Sequence, residues 1–555
     1  MDKDRAKESE NLKSACRVLT LVNSSNDIIR KISCAPELTV CEALRSAGVK
    51  LRTSCGGQGK CGHCRILVLD GGAGVPSQAE MSLLGAGELE RGFRLACRLK
   101  PAGNLKIRLT DSIDLSSGEP YLPGSTDDDA PPLFMPAPEY IRPPDPTKRY
   151  GAAVDLGTTH IRVSVCDMNS RLRVASRTVV NPQTYYGTDI LTRLEFALLN
   201  SENAREISSV AAKAAGAVLE RIARDFQFRP ADIGRVLFVG NTAMLTILAE
   251  KNCDLLLDSG RGKCGIDCRP SNVDELRRNL GLETGTEIEL AKPLAGFIGS
   301  DLLAGVMASN LTGAGAGSLY IDFGTNSEIA LWDGKKIMSA STAGGPAFEG
   351  CGIGCGMLPG PGAVYAARMT DDGTGLVCDT IGGLEARGLC GSAMVDIIAE
   401  LAGAGILDGS GRFAPGAHKN GYHLGGKNGG LILKKRDVDS FQRAKAAIGG
   451  AVVCLMDAAG MRTEELKNIY ISGVFGKYLD IKNAMRIGLL PAIPPRYIHK
   501  RRNAALAGAE YLLFHRNSIE VIESLIKRSD FTDLSFSDSF DKNFVKNLFI
   551  KPFSR

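Results

Sequence analysis

The chain has 555 residues, too many for one hydrophobic core, which predicts two to four domains. Its net charge of +5 is too small to indicate nucleic-acid binding, and no uncharged apolar run is long enough to span a membrane. The charged N-terminus lacks the apolar stretch of a secretory signal. Because 16 cysteines occur without such a signal, we expect a cytoplasmic protein whose thiols bind metals or pack in the core.

The first 110 residues predict an α+β domain of the β-grasp ferredoxin type. Residues 1–15 are strongly charged and are expected to be disordered, so the domain is assigned to 16–110. Thr39 and Ser77 are suited to cap the two helices. The predicted elements, in order, are strands 17–22 and 28–32, a helix at 39–47, a cysteine-rich loop, a strand at 65–69, a helix after residue 77 and a strand at 105–109.

Four cysteines in this domain have the spacing of a metal centre. Cys55, Cys61 and Cys64 lie in one glycine-rich loop, and Cys97 follows 33 residues after the third. Glycines let a backbone wrap closely around inorganic sulfide, and four thiolates are the usual ligands of a 2Fe–2S cluster. A zinc site with the same ligands is the alternative. Zinc sites usually pair two short knuckles, whereas Cys97 stands alone, so the spacing favours the cluster and one-electron chemistry.

Residues 111–149 form a proline-rich linker with nine of the chain's 24 prolines and three consecutive aspartates. Such a segment cannot bury enough apolar surface to offset the entropy of ordering it. At about 3.1 Å per extended residue its reach is on the order of 100 Å. We therefore expect a tether between the N-terminal domain and the rest of the chain.

The region from residue 150 to 555 predicts a duplicated α/β domain. Residues 150–167 and 319–333 each contain an apolar strand, an Asp-x-Gly-Thr turn and a second apolar strand. Two such hairpins 167 residues apart indicate two related halves, the second starting near residue 318.

Both turns carry the residue types of a phosphate-binding loop. Glycine permits the tight turn, hydroxyl and amide groups can contact phosphate oxygens, and an aspartate can hold hydrated Mg²⁺. An ordinary hairpin turn is the alternative for either motif alone. The candidate binding residues are Gly157, Thr158 and Thr159 in the first turn, Gly324, Thr325 and Asn326 in the second, and Gly473, Phe475 and Gly476 after a later strand that could support a purine.

Together these three segments resemble the phosphate-1, phosphate-2 and adenosine motifs of the actin, Hsp70 and sugar-kinase (ASKHA) superfamily. The resemblance implies a nucleotide cleft that binds ATP with Mg²⁺. Asp155, Asp322 and Asn241 are the candidates to hold Mg²⁺ or phosphate. No Gly-x4-Gly-Lys-Ser/Thr segment is present, so the chain is not a P-loop protein.

Further segments, among them 239–244, 343–350 and 389–394, combine with the cysteine loop in a pattern similar to the reductive activators of corrinoid proteins. The resemblance implies that ATP drives one electron from the 2Fe–2S cluster to cob(II)alamin in the corrinoid protein of a methyltransferase, regenerating cob(I)alamin. Since no flavin or NAD fingerprint is visible, an external low-potential donor is expected. The resemblance leaves a homodimer open.

Other interpretations also remain open at this stage. They are an ATP-driven electron donor to another metalloenzyme, a redox-sensing ATP-binding scaffold and a small-molecule kinase. Some members of the activator family carry an additional segment after the linker, and we expect it to be absent here because Tyr150 follows the linker directly. The roles of Cys264, Cys268, Cys351 and Cys355 are not assigned by their spacing.

Overall fold

The computed structural model describes residues 16–553 apart from 23–25, 27, 48, 52–56, 60–61, 63, 110–111, 115–147, 188, 258–265, 325, 349, 351, 358, 416–420, 425–430 and 535–536. The predicted disordered N-terminus, most of the predicted linker, and Cys55, Cys61 and Thr325 therefore lie outside the described residues. None of the described helices is both long and apolar enough to cross a membrane.

The N-terminal domain, hereafter the cluster domain, has the predicted β-grasp order. Its elements are β1 (Arg17–Val22), β2 (Ile28–Cys34), α1 (Val40–Ser46), β3 (Val49–Leu51), β4 (Arg65–Gly71), α2 (Gln78–Glu90), β5 (Phe93–Leu95), β6 (Leu105–Leu109) and β7 (Ser112–Asp114). Five strands form one sheet in the order β2-β1-β6-β4-β5, in which β1 and β6 run parallel. The predicted caps are confirmed, because Thr39 and Ser77 each form a reciprocal capping box with a glutamate three residues on.

The capping glutamate of α2 also forms a buried ion pair. Glu80, which is 0% exposed, accepts hydrogen bonds from Arg94 Nε at 2.8 Å and from the backbone nitrogen of Leu95 at 3.0 Å. Burial raises the pKa of Glu80, but hydrogen bonds from Arg94, Ser77 and Leu95 outweigh it and hold the pKa below its usual value. The pair ties α2 to β5, the strand that leads to Cys97.

Glu80→Gln should therefore lower the free energy of unfolding of the cluster domain by about 3 kcal/mol, because it leaves the Arg94 guanidinium buried without its counter-ion. Glu88→Gln is the control, since Glu88 pairs with Arg65 at 3.3 Å at the surface and should cost less than about 1 kcal/mol. Urea unfolding of the full chain, followed by the visible absorption of the domain, measures both. Because the folded pKa of Glu80 is depressed, its contribution should fade as pH falls. Equal losses in the two variants at neutral pH would contradict the assignment.

The first lobe is built on a five-stranded sheet in the order β10-β9-β8-β11-β12. Strands β8, β9 and β10 are antiparallel, whereas β8, β11 and β12 are parallel. Its elements are β8 (Tyr150–Leu156), β9 (His160–Asp167), β10 (Leu172–Val180), α3 (Ile190–Leu198), α4 (Ser201–Asp225), β11 (Ile233–Gly240), α5 (Thr242–Ala249), α6 (Val273–Asn279), β12 (Glu287–Leu290) and α7 (Ser300–Ala308).

The second lobe repeats this arrangement in a sheet ordered β22-β21-β13-β14-β15-β23. Its elements are β13 (Ser318–Phe323), β14 (Ser327–Trp332), β15 (Ile337–Thr342), α8 (Gly345–Phe348), β16 (Ala363–Met369), β17 (Leu376–Thr380), β18 (Gly388–Leu389), α9 (Gly391–Gly403), β19 (Tyr422–His423), β20 (Ile432–Leu433), α10 (Lys435–Ala458), β21 (Asn468–Ser472), α11 (Val474–Tyr478), α12 (Ile481–Arg486), β22 (Ile498–Lys500), α13 (Ala504–Leu513), α14 (Ser518–Lys527), β23 (Ser529–Phe531) and α15 (Asp538–Asn547).

The two halves are related as the paired sequence motifs predict. In each, three antiparallel strands are extended by two parallel strands next to the first of them. Helices α7 and α13 pack together, and one buried apolar cluster joins them to residues of both sheets, including Val239, Tyr320 and Trp332. The cleft between the lobes therefore has a continuous hydrophobic floor.

Candidate iron–sulfur and nucleotide sites

The two described cysteines of the predicted cluster lie side by side. Cys64 immediately precedes β4 and Cys97 follows β5, and these strands pair antiparallel with Arg65 opposite Leu95. The pairing brings Cys64 Sγ to 3.2 Å from Cys97 Sγ, with both side chains buried. Two thiol sulfurs that face each other at this distance fit two ligands of one metal centre. Cys55 and Cys61 are outside the described residues, so their placement stays a prediction.

The first predicted phosphate loop is the turn between β8 and β9. The backbone nitrogen of Gly157 donates to the carbonyl of His160 at 3.0 Å, and a Cβ at Gly157 would lie 2.7 Å from that oxygen. Only glycine closes this turn without displacing the backbone. Asp155, at the end of β8, points into the cleft, where its carboxylate is 2.9 Å from Arg162 of β9.

The second phosphate loop lies directly opposite in the second lobe. Asp322 occupies the same position in β13 as Asp155 does in β8, and it accepts a hydrogen bond from the Tyr320 hydroxyl at 3.1 Å. Gly473 follows the neighbouring strand β21 with a φ of 89°, and a Cβ there would lie 2.2 Å from the carbonyl oxygen of Phe323. The backbone of the predicted adenosine segment thus lies against the second phosphate loop with no room for a side chain.

Four carboxylates of the cleft perturb one another's ionisation. Burial and then the charge of Asp155 raise the pKa of Asp301 to about 8 and that of Asp322 to about 6. Burial also raises the pKa of Asp155, and burial together with Asp301 and Asp322 raises that of Glu328 well above its usual value. Buried like charges favour protonation until a cation joins them. A divalent cation suits this donor set.

These carboxylates do not form a ready-made metal cage. Within the described part of the chain, no three His, Cys, Asp or Glu side chains converge closely enough to hold an ion by themselves. Mg²⁺ usually binds proteins through one or two carboxylates, water and the phosphates of its nucleotide. The arrangement therefore fits Mg²⁺ that arrives together with ATP.

Two basic side chains also line the acidic part of the cleft. Arg162 carries a positive charge next to Asp155 and lowers the pKa values of Asp155 and Asp322. Burial and then Arg162 lower the pKa of His160 to about 4, so His160 is neutral at physiological pH. Arg162 is therefore the cationic group here, and its position suits an interaction with phosphate oxygens.

Aromatic rings form the opposite, apolar wall of the cleft. The ring centroids of Phe323 and Phe475 are 5.0 Å apart, and those of Phe348 and Phe475 are 4.7 Å apart. The cleft contains about 1130 Å³ not filled by atoms, part of it open to solvent. An apolar aromatic wall facing a charged wall matches the two ends of a nucleotide, its base and its phosphates.

Most of the predicted nucleotide residues line this one cleft. Those in its lining are Asp155, Gly157, Thr158, Asn241, Asp322, Gly324, Asn326, Gly473 and Phe475. Thr159 and Gly476 lie next to the cleft along the chain and are not in its lining, and Thr325 is outside the described residues. Asn241 Nδ2 lies 3.4 Å from Glu328 Oε1. The side-chain amide of Asn241 therefore contacts one of the four carboxylates of the cleft.

Three cleft residues were missed as candidates from the sequence: Arg162, Asp301 and Glu328. Asp301 sits in the first turn of α7, and Glu328 follows the second phosphate loop by two residues in β14. The acidic residue that closes the Asp-Phe-Gly-Thr-Asn-Ser-Glu segment was a usable signal for Glu328. Arg162 could have been found from the predicted hairpin, because the register of β8 and β9 places it opposite Asp155.

Three further described cysteines have the character of packed thiols. Burial raises the pKa of Cys253 to about 11, of Cys268 to about 12 and of Cys355 to about 11. Such thiols stay protonated and unreactive at neutral pH. Cys264 and Cys351 lie outside the described residues.

Comparison with known proteins supplies the family. A model described as the C-terminal domain of RACo, the ASKHA domain, matches residues 316–554, and one described as the RACo middle region matches residues 150–314. The chain belongs to the RACo family. A 2Fe–2S iron–sulfur cluster binding domain model matches residues 24–102. The family therefore joins a 2Fe–2S domain to an ATP-binding ASKHA domain, and the predicted cofactors, a 2Fe–2S cluster and ATP with Mg²⁺, are confirmed.

Relatives of this RACo-family chain have related names. It is 28% identical to the corrinoid activation enzyme RamQ of Eubacterium limosum, over 75% of this chain and 72% of the relative. It is 26% identical to the [Co(II) methylated amine-specific corrinoid protein] reductase of Methanosarcina barkeri, over 72% of this chain and 76% of that protein. A solved reductive activator for corrinoid, iron–sulfur protein has the same fold, with a TM-score of 0.64, 23% identity and coverage of 97% and 99% of the two chains.

The match to the middle region begins at residue 150, where the nucleotide domain was predicted to begin. Its residues form the mixed sheet of the first lobe and are not a segment inserted before it. The expected absence of an additional segment after the linker stays a prediction.

Proposed function

We propose that this chain uses ATP to pass one electron from its 2Fe–2S cluster to cob(II)alamin in a partner corrinoid protein, which regenerates cob(I)alamin for methyl transfer. The observation that carries the proposal is the union, in one RACo-family chain, of a 2Fe–2S domain with a nucleotide cleft. Its relatives include a corrinoid activation enzyme and a corrinoid protein reductase. Neither a kinase nor a simple nucleotide scaffold needs a one-electron centre.

We assign the cluster to Cys55, Cys61, Cys64 and Cys97, which would be its four thiolate ligands. A bound 2Fe–2S cluster supplies one-electron redox chemistry. The chain's own contribution is to bury Cys64 and Cys97 behind β4 and β5, which excludes water from one side of the site. The predicted boundaries are 16–110 for this domain, 111–149 for the linker and 150–555 for the nucleotide domain. The first boundary moves to residue 114, because β7 lies within the predicted linker and pairs with β3 of the cluster domain.

In the cleft we assign the phosphates of ATP to the two facing turns. The backbone amide of Thr158 and those of the turn at Gly324 and Asn326 would bind phosphate oxygens, and Arg162 would neutralise their charge. Asp155, Asp322, Asn241 and the newly identified Asp301 and Glu328 would position hydrated Mg²⁺. Gly473 and Phe475 would support the purine. The boundaries and these residue roles are parts of the proposal.

The conformational bias that the proposal requires can be expressed as an electrochemical potential. A one-electron step of about 59 mV corresponds to about 1.4 kcal/mol. A nucleotide-driven bias of about 5.5 kcal/mol, which inverts a 1:99 equilibrium, offsets on the order of 0.2 V. Nucleotide binding that favours a conformation able to grip the corrinoid protein would thus make an uphill electron transfer accessible.

The affinity for Mg–ATP should rise as the pH increases from 6 to 8. The pKa values of Asp322 and Asp301, about 6 and about 8, mean that binding must displace protons in this range. Calorimetry in buffers of different ionisation enthalpy should therefore detect proton release at pH 7. Asp301→Asn should bind more weakly at pH 8 and flatten the pH dependence. The protonation of ATP itself contributes equally to the measurements on the variant and on the wild type. If the dissociation constant depended on pH identically in the two proteins, the assignment would be contradicted.

Three further points belong to the same proposal. The electron donor is a separate low-potential protein or reductant, because the sequence has no flavin or NAD fingerprint. The chain acts in the cytoplasm, where thiolate ligands stay reduced. A homodimer is a further hypothesis, which light scattering of the purified chain tests directly.

The proposed function is tested anaerobically with reductant, Mg–ATP and a corrinoid protein loaded with cob(II)alamin. The optical spectrum should show cob(I)alamin with ATP and none with ADP or without nucleotide. Proteins encoded beside this chain's gene are the first partners to assay. Absence of ATP-dependent cob(I)alamin with every encoded corrinoid protein would refute the function.

A further inference from the structure

Arg45 joins the cluster domain to the first lobe through a contact with a pair of neighbouring aromatic rings. The guanidinium carbon of Arg45, in the last turn of α1, lies 5.6 Å from the ring centroids of both Tyr186 and Phe196. Those rings are 4.6 Å apart, and the arginine is half-buried. A cation over two aromatic faces is a directional contact, held by the rings' negative faces.

Within the cluster domain, the helix that carries Arg45 is connected to Cys97, a predicted cluster ligand. The first turn of α1 is hydrogen-bonded to the segment that carries Cys97. The backbone nitrogen of Cys41 donates to the carbonyl of Ala96 at 3.0 Å, and that of Val40 donates to Leu99 at 2.8 Å. Helix α1 and the Cys97 segment therefore move as one unit.

On the side of the first lobe, the same contact leads to the phosphate loop. Arg193 of α3 is fully buried and donates to the carbonyl of Thr158 at 2.7 Å and to that of Gly187 at 2.7 Å, next to Tyr186. Asn181 Nδ2 donates to the carbonyl of Gly157 at 2.8 Å. The segment that carries the two aromatic rings therefore also holds the Gly157–Thr158 turn through hydrogen bonds.

We propose that the Arg45 contact is a latch whose closure opposes nucleotide binding, so that ATP in the cleft releases the cluster domain from the first lobe. This inference rests on the proposed function of the cleft. A phosphate oxygen that binds the Thr158 amide rotates the Gly157–Thr158 peptide plane, whose Gly157 carbonyl is held by Asn181, and the adjoining Thr158 carbonyl is held by Arg193. The shift is passed to α3 and displaces the rings of Tyr186 and Phe196 from Arg45.

The release has a purpose in the electron transfer. A cluster domain that is latched to the first lobe cannot approach the cobalt of a partner protein. A cluster domain that is attached only through the 111–149 segment can reach it. Two states are required, latched and released, and ATP shifts them only as far as its affinities for the two states differ. By thermodynamic linkage, if nucleotide favours the released state by a given factor, a mutation that opens the latch raises the affinity for nucleotide by up to that factor.

Arg45→Ala tests the latch, and Arg91→Ala is a matched control. Arg91 makes the same kind of contact, 5.6 Å from the ring centroid of Phe93, but within the cluster domain. The experiment uses the full chain with its cluster and a non-hydrolysable ATP analogue. It measures the dissociation constant by calorimetry and the radius of gyration by small-angle X-ray scattering, with and without the analogue. Unchanged visible absorption of the cluster shows that each variant is folded.

We expect the analogue to increase the radius of gyration of the wild type and of Arg91→Ala. Arg45→Ala should be expanded without nucleotide, change no further when it is added, and bind the analogue about fivefold more tightly. Unchanged or weaker binding by Arg45→Ala overturns the latch and leaves the proposed function intact. If no variant bound the analogue, both the latch and the proposed function would be wrong.

Discussion

Cys97→Ala should remove the visible absorption of the iron–sulfur cluster and abolish reduction of the corrinoid protein while leaving ATP binding intact. Cys97 Sγ lies 3.2 Å from Cys64 Sγ in a buried site, and a 2Fe–2S cluster is usually held by four thiolates, so the substitution removes one of the proposed ligands. We expect the rate of cobalt reduction to fall by at least about 100-fold, because a cluster site that has lost a ligand no longer passes the electron to cobalt. Anaerobic absorption spectra and the cob(I)alamin assay measure the two effects.

Cys378→Ala is the matched control for this loss. Cys378 is a partly buried cysteine of β17, in the second lobe, and has no place in the proposed electron path. It should keep the cluster and the activity. Cys64→Ala repeats the test from the other ligand. Cobalt reduction at the wild-type rate in either ligand variant would show that the cluster of this chain is not the electron source.

Gly473→Ala should weaken ATP binding by at least tenfold. Gly473 has a φ of 89°, and a Cβ there would lie 2.2 Å from the carbonyl oxygen of Phe323 and 3.1 Å from Asp322 Oδ1. The added Cβ must push the Phe323 carbonyl and the loop after it out of place, and a loss of about 1.4 kcal/mol in binding free energy is a factor of ten in affinity. The clash also displaces the second phosphate loop. Calorimetric titration with Mg–ATP measures the loss.

Gly460→Ala separates strain from clash. Gly460 has a similar left-handed φ of 64°, but a Cβ there would meet nothing within 4 Å. We expect it to lower the free energy of unfolding by about 1 kcal/mol and to leave ATP binding unchanged. If the two alanine variants bound ATP equally well, the close approach at Gly473 would have no part in the nucleotide site.

The elements that could be predicted are those with local signals. Thr39 and Ser77 each begin a capping box within four consecutive residues, and the strand boundaries of β1 and β6 agree with the prediction. Both Asp-x-Gly-Thr turns connect antiparallel strands, as the alternation of apolar residues on either side indicates. Strands β2 and β4 each run two residues further than predicted, because pairing with a neighbour extends them beyond their apolar pattern.

What could not be predicted depends on contacts between distant segments. Asp301 meets Asp155 and Asp322 only because α7 packs across the cleft between the two sheets, and nothing near residue 301 signals this. The contact of Arg45 with Tyr186 and Phe196 joins two domains across the linker. The periodicity of the sequence predicts the helices and strands but not these contacts between them.

The most direct test of the account uses the electron of the cluster alone. The full chain is reduced anaerobically, freed of reductant, and mixed with a cob(II)alamin-loaded corrinoid protein in a stopped-flow spectrophotometer. The account predicts that Mg–ATP triggers oxidation of one cluster for each cob(I)alamin formed, at equal rates, and that neither change occurs without ATP. Oxidation of the cluster without cob(I)alamin, or cob(I)alamin formed equally well without ATP, would contradict it.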